Sequence, residues 1–277
     1  MRRRLFSSAA LCVAIAVFSA LAPAHRANAW TSLAAAPIHP GVQTITGGSQ
    51  CTANFVFTNG TDVLLGQAAH CAGTGPPTDT NGCVASALPL GTPVQISGAS
   101  RAGVLVYSSW SAMQATRENN SDLCRFNDFA LVRIDPADHR LVNPSVPRWG
   151  GPTGLAVAAP RPLAKVYSYG NSSLRLGLTK LAPKIGLSLG SGGDGRTHLV
   201  YSGTPGIPGD SGAGLLNQSG SAVGVLSTVG LTPFPLGNYY TDLYRALEYA
   251  RGHGLPGVQL VRGTKAFNGA AFRLFLG

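Results

Sequence analysis

The sequence predicts an all-β protein of short antiparallel strands arranged as a barrel or a sandwich. Three observations carry that expectation. Apolar residues make up 44% of the 277 and charged residues 12%, a balance that supplies a core and excludes a disordered chain. Glycine occurs 36 times and proline 19 times, which suits a loop-rich β protein rather than a helical one. Strand-like runs separated by turn signals recur along the chain. The length suits one large domain or two modest ones.

In chain order, residues 1–29 read as a signal peptide. Arg2-Arg3-Arg4 is followed by an apolar run and then by Ala27-Asn28-Ala29, the pattern of a cleaved export signal. Cleavage is expected after Ala29, with Ala22-Pro23-Ala24 as a second site. An uncleaved anchor is the alternative, because the run approaches the ~18 residues needed to span a bilayer. No later segment is long and apolar enough to span, so the expectation is a secreted, extracellular monomer with no membrane partner after cleavage. The formal charge of +10 loses Arg2, Arg3, Arg4 and Arg26 with the signal, leaving +6. No Lys/Arg run marks a nucleic-acid footprint.

Residues 30–50 are rich in Ala, Pro and Gly and read as an N-terminal arm or a short pro-segment. Residues 51–142 form the first β unit. Its strands are expected at 52–58 and 62–68, joined by Asn59-Gly60, a tight-turn signal. Further strands are expected at 94–96, 104–107 and 129–134. Residues 73–82 read as a polar turn region, and 108–124 as a long irregular loop over a cleft. Pro144, Pro147, Gly150, Gly151 and Pro152 mark residues 143–154 as a linker. The second unit, 155–277, has strands expected at 163–169, 174–181, 199–202, 212–216, 222–229 and 238–240. A helix opens at Thr241-Asp242, with Leu243, Ala246, Leu247 and Ala250 at helical steps and Gly252 and Gly254 at its end. Residues 255–277 continue past it with no role assigned.

Three stretches carry chemistry. Gly206-Ile207-Pro208-Gly209-Asp210-Ser211-Gly212-Ala213-Gly214 sets a serine in a glycine-rich loop. Such a loop holds a hydroxyl outward beside converging backbone N–H groups, as acyl transfer requires. Gly66-Gln67-Ala68-Ala69-His70-Cys71 places a histidine at the end of an apolar run. Asn127-Asp128-Phe129-Ala130-Leu131-Val132-Arg133-Ile134 places an aspartate before an alternating strand. The order His, Asp, Ser is one of the known orders of a catalytic triad. After Cys12 goes with the signal, Cys51, Cys71, Cys83 and Cys124 remain, an even number in an exported chain. They predict two disulfides with three possible connectivities. No Cys-x-x-Cys or paired Cys/His spacing points to a metal, and no cofactor is expected.

Over residues 42–250 these stretches resemble the chymotrypsin-like (trypsin-fold) serine endopeptidases, the secreted bacterial members above all. The resemblance implies two six-stranded antiparallel barrels and a C-terminal helix. It implies a disulfide between Cys51 and Cys71, which leaves Cys83 with Cys124. It makes Ser211 the nucleophile, His70 its base and Asp128 the group that orients the imidazole, with Asp122 and Asp135 as lesser candidates. The N–H groups of Gly209 and Ser211 become the oxyanion hole. Ser227, Thr228 and Val229 become the segment that pairs with a polypeptide substrate, with Ser227 also bonded to Asp128. Pro205 occupies the base of the side-chain pocket, where trypsin-like members carry an aspartate, so an uncharged or apolar side chain is expected there. In trypsin-type zymogens a new apolar N-terminus pairs with the aspartate before the nucleophile. Ile45-Thr46-Gly47-Gly48 resembles such a start, but no basic residue closely precedes it. An internal arginine is therefore expected on Asp210, as in some bacterial members. A catalytically silent binding module of the same fold and an esterase are the competing functions. The hydrolase nucleophile elbow runs in the order Ser, acid, His, which this chain does not follow.

Overall fold

A computed structural model of the chain describes residues 30–76, 78–230 and 235–270. The expected signal peptide and its cleavage sites, Cys12, Pro77 and residues 271–277 lie outside the described residues.

The first half of the chain builds one eight-stranded sheet. A hairpin of β1 (Gln43–Thr46) and β2 (Ser49–Thr52) opens it. A second hairpin joins β3 (Val56–Thr58) to β4 (Val63–Gln67). Its turn forms where Asn59-Gly60 directs it: Asn59 Oδ1 accepts the N–H of Thr61 and Asp62 at 3.0 and 2.8 Å. Gly60 there takes φ +95°, a conformation open to glycine at little cost. The sheet continues with β5 (Pro93–Ile96), β6 (Gly103–Ser108) and β7 (Ala130–Arg133). The second half forms a closed six-stranded barrel. Its strands are β8 (Lys165–Tyr169), β9 (Pro183–Gly192), β10 (Thr197–Ser202), β11 (Gly214–Leu216), β12 (Ala222–Val229) and β13 (Asn238–Asp242). Around the barrel the order is β10-β13-β12-β11-β8-β9.

Several elements differ from those expected. The first sheet has two strands beyond six because β1 and the start of β2 come from the segment read as an arm, and a last strand comes from the tail. That strand, β14 (Gln259–Leu260), pairs antiparallel with β3. The ladder runs β14-β3-β4-β7-β6-β5-β1-β2, with β14 and β2 as its two end strands. Residues 108–124, expected as an irregular loop, contain helices α1 (Ser109–Ala115) and α2 (Ser121–Phe126). Trp110, Met113 and Leu123 bury themselves in the core from these helices, and Asn120 caps α2 by accepting the N–H of Leu123 at 2.9 Å. Residues 174–181 are two 3-10 turns, Ser173–Arg175 and Thr179–Leu181, rather than a strand. Leu174, Leu176 and Leu178 alternate as a strand would, yet all three are exposed. The strand lies further on, in β9, where Ile185, Leu187 and Leu189 alternate with buried Lys184, Gly186 and Ser188.

Helix α3 (Leu243–Gly252) follows β13, with Asp242 accepting the N–H of Arg245 at 2.8 Å and Leu243, Ala246, Leu247 and Ala250 buried. One buried cluster joins the two halves: Phe55, Phe57 and Leu64 from the sheet, Trp149, Tyr167 and Val225 from the barrel side, and the inner face of α3. Burying such side chains contributes about 1.5–3 kcal/mol each. The tail adds to this seam, with β14 on the sheet, the Lys265 carbonyl on Gly151 N–H at 2.9 Å and Phe267 on Tyr167 at 5.3 Å between ring centres. Two disulfides cross-link the first half, Cys51–Cys71 and Cys83–Cys124. Closing a loop of the first size stabilises a chain by about 3 kcal/mol in the chain-entropy description. Among the described residues no helix is long and apolar enough to cross a membrane.

Candidate active site

His70 sits in a short 3-10 turn, Ala69–Ala72, that follows β4 directly. The turn is fixed on both sides, by the Cys51–Cys71 disulfide and by the His70 carbonyl accepting Gly73 N–H at 2.8 Å. Asp128 lies just before β7. Its segment is held from two elements: Ser109 Oγ donates to the Asn127 carbonyl at 2.7 Å, and Asp128 N–H donates to Thr241 Oγ1 at 3.2 Å.

The Asp128 carboxylate is buried and spends both oxygens. Oδ1 accepts the His70 backbone N–H at 2.9 Å. Oδ2 lies 2.6 Å from His70 Nδ1 and accepts the Ser227 hydroxyl at 2.6 Å. The β12–β13 register shifts between Leu226 and Thr228, around Ser227, and such a bulge re-aims a side chain. Burial alone would push the Asp128 carboxyl up. The His70 charge, its ring hydrogen bond, the Ser227 hydroxyl and the His70 N–H outweigh it and hold Asp128 below the ordinary carboxylate range. Burial likewise pulls the His70 imidazole down, but the Asp128 charge and hydrogen bond prevail and raise it above the usual value. The ring is 26% exposed, and its Nε2 has no hydrogen-bond partner among the described residues.

Ser211 is brought beside this pair by its own backbone. Its carbonyl accepts Thr52 N–H at 2.8 Å, next to the cysteine whose disulfide partner adjoins His70. Gly212 N–H donates to the Leu226 carbonyl at 2.7 Å, adjoining Ser227. Gly212 has φ +88°, and a Cβ there would lie 2.5 Å from the Thr52 carbonyl oxygen and 3.0 Å from Ala68 N. Only glycine lets the serine loop approach the histidine strand this closely. Gly209, at φ +94°, has its carbonyl held by Gln50 Nε2 at 3.0 Å and Thr52 Oγ1 at 2.7 Å. The Pro208 carbonyl accepts the Ser172 hydroxyl at 2.5 Å. A trans peptide points its N–H opposite its carbonyl, so Gly209 N–H faces away from Ser172. Neither Gly209 N–H nor Ser211 N–H meets an acceptor among the described residues.

Asp210 is fully buried, and its cations are two rather than the single arginine expected. Arg175 Nη2 donates to Oδ2, and Lys184 Nζ lies 3.0 Å from the same oxygen. Ser172 N–H reaches Oδ1 at 3.1 Å and Ile207 N–H reaches Oδ2 at 3.2 Å. Ile45, in the segment that resembled an activated N-terminus, is instead paired within β1, opposite Gln50 and Gln95. Pro205 is half-buried, with its carbonyl on Lys184. Thr228 and Val229 run along β12 opposite Tyr239 and Asn238. Asp122 sits in the first turn of α2, and Asp135 caps Ala137 at 2.9 Å; neither bonds to His70.

Sequence reasoning missed Lys184, Ser172, Gln50 and Thr241. The sequence signal at Lys184 pointed the wrong way, since Ile185, Leu187 and Leu189 alternate as a core face would, yet Lys184, Gly186 and Ser188 are the buried positions of β9. The sulfurs of Cys51 and Cys71 lie within 4.8 Å of a His70 ring nitrogen, but the disulfide consumes both thiols and leaves no thiolate ligand.

No protein-family model and no curated protein matches the chain. Among solved structures it is similar to protease A of Thermobifida fusca at 21% identity, with 82% of this chain and 99% of that one covered and a TM-score of 0.50. It is similar to a Glu endopeptidase at 16% identity, covering 77% and 91% of the two chains, with a TM-score of 0.51. The likeness establishes a trypsin-like fold and leaves the chemistry to the residues.

Proposed function

We propose that the chain is a secreted serine endopeptidase, acting as a monomer on polypeptide substrates through Ser211, His70 and Asp128. One observation carries the reading: a buried carboxylate fixes the inner nitrogen of His70, while the outer nitrogen has no hydrogen-bond partner among the described residues. Serine is a weak nucleophile without a base beside it. In the proposed reaction His70 Nε2 takes the Ser211 proton as Oγ adds to the scissile carbonyl. The negative oxygen is received by the Gly209 and Ser211 N–H groups, each worth roughly 3–4 kcal/mol in the transition state. Collapse breaks the C–N bond, and His70 returns the proton to the leaving amine. Water, activated by the same histidine, then hydrolyses the acyl-enzyme and frees Ser211. Asp128 keeps the Nδ1–H tautomer and stabilises the imidazolium. Ser227, Thr228 and Val229 offer the substrate a strand to pair with, and residues 1–29 direct export. The fold and the paired disulfides support the reading.

A fluorophosphonate tests it. The reagent is expected to label Ser211 alone in folded protein, and Ser211→Ala is expected to lose both label and peptide cleavage while keeping its melting temperature. Well-folded wild-type protein that never takes the label would leave a silent binding module in its place.

A further inference from the structure

We propose that Lys184 makes the side-chain pocket beside Ser211 selective for an acidic residue on the acyl side of the scissile bond. The inference rests on the peptidase reading above and names its substrate class.

Lys184 is an inward-facing residue of β9 with a side chain 2% exposed. Its Nζ donates to the carbonyls of Thr204 and Pro205 at 3.1 and 3.0 Å and lies 3.0 Å from Asp210 Oδ2. The two carbonyls belong to the stretch entering the Ser211 loop, and Pro205 is the proposed base of the pocket. A Cβ on Gly206 would lie 2.9 Å from Asn238 Oδ1 and 3.0 Å from Val229 Cγ2, so Asn238 and β12 pack against this stretch. The ammonium group therefore lies against the backbone of the proposed pocket base.

The charge there does not cancel. Arg175, 9% exposed at its side chain, shares the same Asp210 oxygen. Among the described residues no second carboxylate pairs with either cation. Burial pulls the Lys184 pKa below its ordinary value against the opposing pull of Asp210; while Lys184 is protonated, two cations on one carboxylate leave a net positive charge in a region where water and salt screen little. A carboxylate entering the pocket supplies the missing counter-charge, and a Lys or Arg side chain meets repulsion. Pro205 has no N–H to offer. Its neighbour Gly206 has its N–H committed to Asn238 Oδ1 at 2.6 Å. Recognition at the base is therefore by field rather than by a backbone donor. This replaces the uncharged side chain that the sequence alone led to.

The test compares peptide substrates that differ only in Glu against Gln at the residue before the cut, with Leu and Lys as further arms. Concentrations of active wild-type enzyme come from fluorophosphonate titration. The expected kcat/KM ratio of Glu over Gln is about tenfold or more, with Lys the poorest. Lys184→Gln keeps a donor for the Thr204 and Pro205 carbonyls without the charge, and Lys184→Met removes both; each is expected to bring the ratio close to one. Wild-type enzyme that cleaves after Gln or Leu as well as after Glu overturns the proposal, and that measurement decides even if neither variant folds. A Glu preference that survives in a folded, labelled Lys184 variant overturns the assignment to Lys184. Labelling without a Glu preference removes this inference alone, whereas no labelling removes the peptidase reading with it.

Discussion

Two His–Asp pairs of nearly the same length occur among the described residues, and only one has the surroundings proposed for a catalytic group. His70 Nδ1 lies 2.6 Å from Asp128, and His198 Nε2 lies 2.8 Å from Asp242. The second pair even has a serine on its other nitrogen, Ser191 Oγ at 3.0 Å from His198 Nδ1. A complete Ser–His–Asp string of hydrogen bonds is therefore present at His198, whereas His70 is bonded on its Asp128 side alone among the described residues. The difference is access. The His198 side chain is 1% exposed and both its ring nitrogens are occupied, while Asp242 also caps α3. His70 keeps one nitrogen without a partner among the described residues, and in the Ser211 loop the Gly209 and Ser211 N–H groups likewise meet no acceptor there. Hydrogen-bonded imidazole is ordinary structural material; an open nitrogen beside preorganised donors is what separates a reacting group from a strut.

The sharpest way to break this comparison is to remove one carboxylate charge from each pair. Asp128→Asn is expected to lower kcat by about 10⁴ through the wrong imidazole tautomer, whereas Asp242→Asn is expected to leave kcat per fluorophosphonate-labelled molecule unchanged. Comparable losses in both variants would place the two pairs in one functional unit.

Stability should respond the other way round. Asp242→Ala removes a helix cap, worth about 1–2 kcal/mol, and leaves buried His198 Nε2 without its partner at a further cost of about 1–3 kcal/mol. Its melting temperature is expected to fall by on the order of 10 °C, read by calorimetry, with activity retained by the molecules that remain folded. A melting point equal to that of wild type would mean the pair holds nothing together.

A pH profile gives a finer distinction. His70 serves as a base only when neutral. Burial lowers its pKa, but the Asp128 charge raises it further, so the net shift is upward. Activity is therefore lost as pH falls through a value above the ordinary imidazole one. The acid limb of kcat/KM should sit above pH ~6.5 and move down in Asp128→Asn. A limb that does not move would show that a different group is titrating.

The smallest expected effect is that of Ser227→Ala. It deletes one of three hydrogen bonds to Asp128, a change of about 1 kcal/mol, so kcat/KM should drop by roughly tenfold or less. A loss as large as that of Asp128→Asn would mean that Ser227 does more than brace the carboxylate.

How much of this was legible depends on distance along the chain. The Asn59-Gly60 hairpin, the cap and stripe of α3 and the glycines around Ser211 are local signals, and each left its mark in adjacent residues. The helices at 109–126 were hidden because they are short and bury only Trp110, Met113 and Leu123 among polar neighbours. The strand β9 runs against the usual rule, because its alternating Ile185, Leu187 and Leu189 are half-buried or exposed and its buried positions hold Lys184, Gly186 and Ser188. The cations on Asp210 were the hardest to see. Arg175 is 35 residues away in a 3-10 turn, and Lys184 arrives from a strand across the barrel. A buried ion pair of that kind depends on tertiary approach, and no spacing rule encodes it.

The tail strand β14 bears on the order in which the molecule is completed. Its partner β3 lies about 200 residues earlier, and contacts of such sequence separation form late because a long loop must close first. Until Gln259–Leu260 has docked, β3 offers an open edge, the kind that templates pairing with other molecules. Segments 263–268 then fasten onto the Gly151 and Trp149 backbone across the seam between the halves. Segment 259–268 thus works as a latch. A chain shortened before Gln259 is expected to aggregate through its first sheet even with His70, Asp128 and Ser211 all present.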